Sequence, residues 1–302
     1  MMQKSTEIKI RKPDDWHLHL RDGDALKVTV PNACRGFNRG IIMPNLVPPV
    51  TTVDLAHEYR KRIVQNIPQG SSWQPLMVLF LTDRTTPEEI YKAHDSKIIF
   101  GAKLYPAGAT TNSDTGVTNL SKLNKTFAAM QEVGMVLQIH GEVTDKNIDI
   151  FDREAVFIET ILKPLVEKFP TLKVSLEHIT TEESVTFVTK DSDSVHASIT
   201  PQHLLYNRND MLVSGIRPHL FCLPILKRER HQQALLEAAT SGNTKLYLGT
   251  DSAPHPIHEK KSDMSSKPGI FSAPCSIELY AEIFDQENAI YNLEIFSSIN
   301  GA

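Results

Sequence analysis

The stretch "DDWHLHLRDGD", residues 14–24, sets two histidines and an arginine in a segment that otherwise reads as a β-strand. Alternate side chains of a strand point to one face, so His17, His19 and Arg21 would share a face opposite Leu18 and Leu20. Neighbouring imidazoles repel once protonated, and a metal ion bound by neutral imidazole relieves that conflict. The alternative is a polar strand edge with two solvated histidines, because His-x-His alone is a weak motif. Other reactive types recur where later apolar runs end: Asn45 after "GIIMP", Lys103 in "IIFGAKLYP", His140 in "MVLQIHGE", His178 in "KVSLEHIT" and Asp251 in "KLYLGTD".

Lys103 is the most informative of these. Alternation places Ile99, Gly101 and Lys103 on one face and Ile98, Phe100 and Ala102 on the other. A lysine buried beside dications is driven towards its neutral amine. That amine reacts with carbon dioxide to give a carbamate, whose two oxygens can bridge two metals. The competing reading is a lysine that reaches solvent or pairs with an acid. Taken together, the residues read as a binuclear site. His17, His19 and Asp251 would bind one ion and His140 and His178 the other, with carboxylated Lys103 between them. Zinc suits such nitrogen-rich ligation, and manganese or cobalt could substitute. Two close dications acidify a water between them, and Asp251 is placed to act as general base and then acid.

Such a site needs a scaffold that brings strand ends together. Eight apolar runs alternate with helical segments such as "TVDLAHEYRKRIVQ", "TPEEIYKAH" (Thr86 as cap, Pro87 at the first position) and "NLSKLNKTFAAMQEV". Strand–helix alternation implies a parallel sheet, and eight units close a (β/α)8 TIM barrel, with chemistry at the C-terminal ends of the strands. A doubly wound open sheet competes, but no glycine-rich nucleotide loop follows the first strand. Among the remaining histidines, His57, His94 and His231 fall in charged helical surroundings and are expected to face solvent. His196, His203 and His258 receive no role, and His219 stays open.

Bulk properties narrow the function classes. The 302 residues carry 32 Lys+Arg against 36 Asp+Glu, a formal net charge of -4, which favours neither nucleic acid nor an anionic membrane as partner. No apolar run has membrane-spanning length, and the N-terminus lacks the apolar core of a secretory signal. Three widely spaced cysteines, Cys34, Cys222 and Cys275, argue against a disulfide framework and for a reducing, cytoplasmic setting.

The motifs "WHLHLRDG", "MPNLVPPV", "GAKLYPAGATTNS", "QIHGE", "LEHITT", "GIRPHLFCLPILK" and "GTDSAPH", in that order, resemble the dihydroorotases of the monofunctional bacterial and fungal type, within the amidohydrolase superfamily. The resemblance covers nearly the whole chain. It implies one catalytic barrel domain over residues 1–302 that interconverts N-carbamoyl-L-aspartate and L-dihydroorotate in pyrimidine biosynthesis. It implies two zinc ions on His17, His19, Lys103, His140, His178 and Asp251, with Lys103 carboxylated, and a homodimer. By the same resemblance Arg21, Asn45 and His255 clamp the substrate carboxylate. Leu223 offers backbone contacts to the ring, and Thr110 and Thr111 belong to a mobile loop over the site.

Two departures from the family pattern stand out. Pro268 occupies a position where the family offers a backbone contact to the substrate carboxylate. Proline has no N–H, so that contact is uncertain or passes to Gly269. The chain also ends at "EIFSSINGA", within what resembles the final helix and its turn, so a truncated C-terminal end is expected. The rival functions are another cyclic amide hydrolase, of hydantoinase or allantoinase kind, and a non-catalytic barrel scaffold.

Overall fold

The eight apolar runs become eight strands: β1 (Asp14–Leu18), β2 (Arg39–Ile42), β3 (Gln74–Phe80), β4 (Ile99–Leu104), β5 (Val136–His140), β6 (Val174–Glu177), β7 (Val195–Ile199) and β8 (Leu246–Leu248). This computed structural model describes residues 7–262 and 265–302. The strands pair in sequence order, and every neighbouring pair is parallel. Just beyond β8 the chain returns to β1. The N–H of Asp251 donates to the carbonyl of His17, and the N–H of His19 donates to that of Ser252, both at 2.9 Å. The expected (β/α)8 barrel forms, and the open sheet does not.

Helices α1 (Leu26–Gly36), α2 (Val53–Val64), α3 (Pro87–Ser96) and α4 (Asn124–Val133) cross between the first five strands. Thr52 caps α2 by accepting from Leu55 N. Thr86 does stand at the N-cap of α3 before Pro87, but its side chain makes no capping bond.

Strand alternation sorts the apolar residues into two layers. Ile42, Met77, Leu79, Ala102 and Leu137 face outward and pack with Val30, Tyr59 and Phe127 of the helices. Ile41, Leu76 and Val78, alternate residues of β2 and β3, and Met43 just past β2 pack with Trp16 in a separate cluster inside the barrel. At the N-terminal mouth, Phe100, Gln138 and Tyr247 border a cavity of ≈ 690 Å³.

The expected alternation along β4 fails at its start. Ile99 lies with Ala102 and Leu104 in the outer layer, whereas Phe100 opens to the N-terminal mouth. The cause is a shift in β3–β4 register, where Met77 pairs with Ile99 but Val78 pairs with Gly101. One extra residue in a strand reverses the facing of everything before it. Lys103 keeps its inward direction because the irregularity lies upstream. His231 also departs from expectation. It is buried, 3% exposed, and its Nδ1 accepts from Glu182 N at 3.2 Å.

Two buried polar groups fix the loops that carry the site. Glu154 accepts from Thr180 N (2.9 Å), Thr180 Oγ1 (2.7 Å), Thr181 Oγ1 (2.7 Å) and Ser184 Oγ, and so anchors the turn after β6. Glu154→Ala strips partners from several buried donors and is expected to lower stability by about 3 kcal/mol or more. Urea denaturation would show this as a lower midpoint with an unchanged slope.

His203 is packed between Thr200 Oγ1 (2.6 Å from Nδ1) and the carbonyl of Pro224 (3.0 Å from Nε2). Burial lowers its pKa to about 4, so the fold holds the neutral ring. Its contribution to stability is full above the unfolded pKa, about 6.5, and is lost as pH falls from there towards 4, because only the unfolded chain takes the proton. Between about pH 7 and about pH 5, His203→Gln is expected to lose about 2 kcal/mol less stability than the wild type. Equal losses in urea melts at the two pH values would refute this assignment.

Candidate metal centre and active site

The C-terminal rim gathers the reactive residues foreseen from the sequence. His17 lies in β1, Lys103 in β4 and His140 at the end of β5. His178 follows β6 directly, and Asp251 lies three residues past β8. The rings of His17 and His178 are tilted by 58° with centroids 4.9 Å apart, and those of His140 and His178 lie 4.8 Å apart. Asp251 Oδ1 lies 3.3 Å from His17 Nε2 and 3.1 Å from His19 Nε2. All six proposed metal-site residues are buried.

Hydrogen bonds on the far side of each ring decide which nitrogen carries a proton. His17 Nδ1 lies 2.5 Å from Glu177 Oε2. His19 Nδ1 lies 2.9 Å from Asn45 Oδ1, which can only accept because Asn45 Nδ2 donates to Thr111 O. In the neutral rings both Nε2 atoms are therefore lone pairs, and both face a carboxylate oxygen. Burial also lowers the pKa of His19 to about 3, which keeps that ring neutral. Three electron-pair donors within 4.8 Å of one another, with no hydrogen to share, repel unless a cation sits among them. That donor set fits a divalent metal.

Lys103 is 0% exposed, and its Nζ has no hydrogen-bond partner. Burial lowers its pKa to about 8, against the opposing pull of Glu177 and Asp251, so neutral amine is accessible near neutral pH. Its ammonium or amine lies 5.2 Å from the centre of the Tyr105 ring. His178 Nδ1 is likewise buried and without a partner.

Around this centre the cleft is walled by Arg21, Asn45, Thr110, Thr111, Leu223 and Pro268, together with Tyr105, Ala253 and Gly269. Free space amounts to ≈ 20 Å³, about the room one water needs. Arg21 leaves the strand pattern. Its backbone turns to φ 60, which ends the alternation expected from His17 and His19. Its Nε donates to Pro254 O at 3.0 Å, and Tyr59 OH donates to its carbonyl at 2.6 Å. His178 (φ 44) and Asp251 (φ 43) also occupy the left-handed region, which costs of order 1–3 kcal/mol each. Strain of this kind persists only where surrounding contacts over-determine the backbone.

His255 Nε2 lies 3.0 Å from Arg21 Nη2 and 2.9 Å from Pro268 O. A neutral ring serves one of these at a time. Burial, reinforced by Arg21, lowers its pKa to about 4. Gly269 N donates to Phe221 O at 2.9 Å, so it would have to leave that bond to serve as a backbone donor in place of Pro268. Glycine is required there on other grounds: φ is +144, and a Cβ would lie 2.4 Å from Ala253 O.

Sequence reasoning passed over Glu177 and Glu142, although both stand inside motifs that it quoted. Glu142 Oε2 lies 2.7 Å from His140 Nε2. Their signal was adjacency, since Glu177 precedes His178 and Glu142 follows His140 by two residues. A second group of possible ligands, Glu182, Glu183 and His231, lies away from the cleft, where Arg230 already pairs with both carboxylates at 3.6 and 3.9 Å.

Comparison with known proteins accords with this geometry. The model of the Amidohydrolase family matches residues 14–301. Dihydroorotase from Acaryochloris marina is 57% identical over 300 residues, covering 99% of this chain and 86% of that protein. The crystal structure of dihydroorotase from Campylobacter jejuni superposes with a TM-score of 0.91 at 38% identity, covering 100% of this chain and 85% of that one. L-Hydantoinase from Arthrobacter aurescens superposes with a TM-score of 0.80 at 18% identity, over 96% of this chain and 71% of that one, which is a likeness of fold alone. With a family match over nearly its whole length and relatives this similar, the chain belongs to the dihydroorotase family of the amidohydrolases.

Proposed function

We propose that this chain, as one catalytic domain, interconverts L-dihydroorotate and N-carbamoyl-L-aspartate in pyrimidine biosynthesis, with two zinc ions at the barrel rim. The observation that carries the reading is the convergence of lone pairs from His17, His19 and Asp251 beside the unpartnered amine of Lys103. His17, His19 and Asp251 would hold one ion and His140 and His178 the other, with Lys103, carboxylated on Nζ, shared between them. Bound ions would acidify a water and polarise the ring carbonyl.

The protein's own groups supply the rest. In ring opening, Asp251 takes a proton from the attacking water and returns it to the ring nitrogen as the amide C–N bond breaks. Arg21 and His255 receive the substrate carboxylate, and a guanidinium braced on Pro254 O suits bidentate binding. Asn45 Nδ2, which donates to Thr111 O in the closed loop, is free to pass to that carboxylate when the loop lifts. Thr110 and Thr111 then close over the ring and exclude water. Leu223 presents its backbone to the ring amide. Pro268 contributes wall surface, and its carbonyl faces His255.

The reading extends to a homodimer in a reducing, cytoplasmic setting. Free Cys34, Cys222 and Cys275 support the latter, and light scattering tests the former. No helix among the described residues is long and apolar enough to cross a membrane.

Zinc-loaded protein is expected to open L-dihydroorotate, followed by its ultraviolet absorbance, and to lose activity on chelation. Lys103→Ala should lower kcat/KM by on the order of 10³-fold or more, because the carboxylated bridge is lost. Arg21→Met should act chiefly on KM, raising it about 10–100-fold. Turnover of a hydantoin without turnover of dihydroorotate would move the assignment to the rival cyclic amidases. A chain that binds two ions and turns over neither would support a scaffold.

A further inference from the structure

We infer that Glu177 and Glu142 are paired positioning residues, one for each metal ion, that set the tautomers of His17 and His140 and so aim one ring nitrogen of each at its ion. The inference rests on the binuclear reading above and concerns groups that no step of the proposed reaction uses. Both carboxylates are almost wholly buried, 1% and 2% exposed. Each spends one oxygen on an imidazole: Glu177 Oε2 on His17 Nδ1 at 2.5 Å, and Glu142 Oε2 on His140 Nε2 at 2.7 Å. A carboxylate only accepts, so the facing nitrogen carries the proton. The lone pair is left on Nε2 in His17 and on Nδ1 in His140. The two rings are thus read through opposite nitrogens, which is a choice free imidazoles would not make uniformly.

Glu177 is itself oriented by a directed chain. Ser175 Oγ donates to Glu177 Oε1, which obliges it to accept from Tyr247 OH. Ser198 Oγ reaches Glu177 Oε2 at 3.4 Å while it accepts from the backbone N–H of His178 at 2.8 Å. Glu177 therefore ties the ligand of one ion to the backbone that carries a ligand of the other. Glu142 has no such second anchor, because its Oε1 is buried without a hydrogen-bond partner. The arrangement is asymmetric, and the Glu177 side has the more hydrogen-bond partners.

The test measures metal binding and not only turnover. Protein stripped by chelation is titrated with zinc against a chromophoric chelator, and with cobalt by its visible spectrum. Wild type should bind two ions. Glu177→Gln and Glu142→Gln should each weaken one ion about 10–100-fold and leave the other unchanged, with distinct cobalt spectra. Tyr247→Phe, which keeps the ring and removes only the orienting hydroxyl, should weaken the ion on the Glu177 side by a smaller factor. Saturating zinc should restore kcat in each variant at unchanged KM. If the wild type binds two ions and all three variants bind both with wild-type affinity, even at a lowered Tm, the glutamates are merely structural and the inference is overturned. A wild type that binds fewer than two ions overturns the binuclear reading, and this inference with it.

Discussion

A primary amine buried at the centre of a barrel, with no hydrogen-bond partner, is the constraint to which the rest of this site answers. Transfer of a charged or polar group from water without compensation is among the largest penalties in a folded chain. Lys103 meets that penalty with its Nζ unbonded and with two anionic side chains, Glu177 and Asp251, as its electrostatic company. A fold built only for stability would place leucine there. Under the proposed function the lysine is kept because its amine reacts, and a carbamate would turn an unsatisfied cation into an anion.

The imidazoles obey the same rule from the other side. His17, His19 and His140 each give one nitrogen to an acceptor, whether Glu177, Asn45 or Glu142, and keep the other for the cleft. The acceptors fix which nitrogen of each neutral ring carries the single proton. Histidines so arranged are lone-pair donors prepared before any ion arrives. The organisation lowers the cost of ordering a metal site, which is the usual benefit of groups placed behind the ligands.

Barrel geometry makes this possible. The strands end at one rim, and the chain leaves them through strained residues such as Arg21, His178 and Asp251. Behind those turns stand buried anchors: Tyr59 holds the Arg21 carbonyl, and Glu154 gathers the turn after His178. Above the rim, the segment carrying Thr110 and Thr111 closes the cleft to roughly the volume of one water. Buried anchors stand below the rim and the 110–111 segment covers it from above.

Much of this was legible in the sequence. Eight apolar runs alternating with helical segments pointed to the parallel barrel, because each run's outward face must pack on a helix. The rule that chemistry sits where barrel strands end then singled out His17, Lys103, His140, His178 and Asp251. What pattern alone could not supply depended on contacts between residues far apart in the chain. The β3–β4 irregularity put Ile99 on the outer face, and a positive φ took Arg21 out of alternation. His231 fell into a buried contact with Glu182 that its charged helix did not foretell. Glu177, 160 positions from His17, became its partner only through closure of the barrel. Local periodicity is a property of neighbours in sequence, and so it determined the elements and the rim. Tautomers, pKa shifts and strain arise from groups brought together across the fold, and only the tertiary structure decided them.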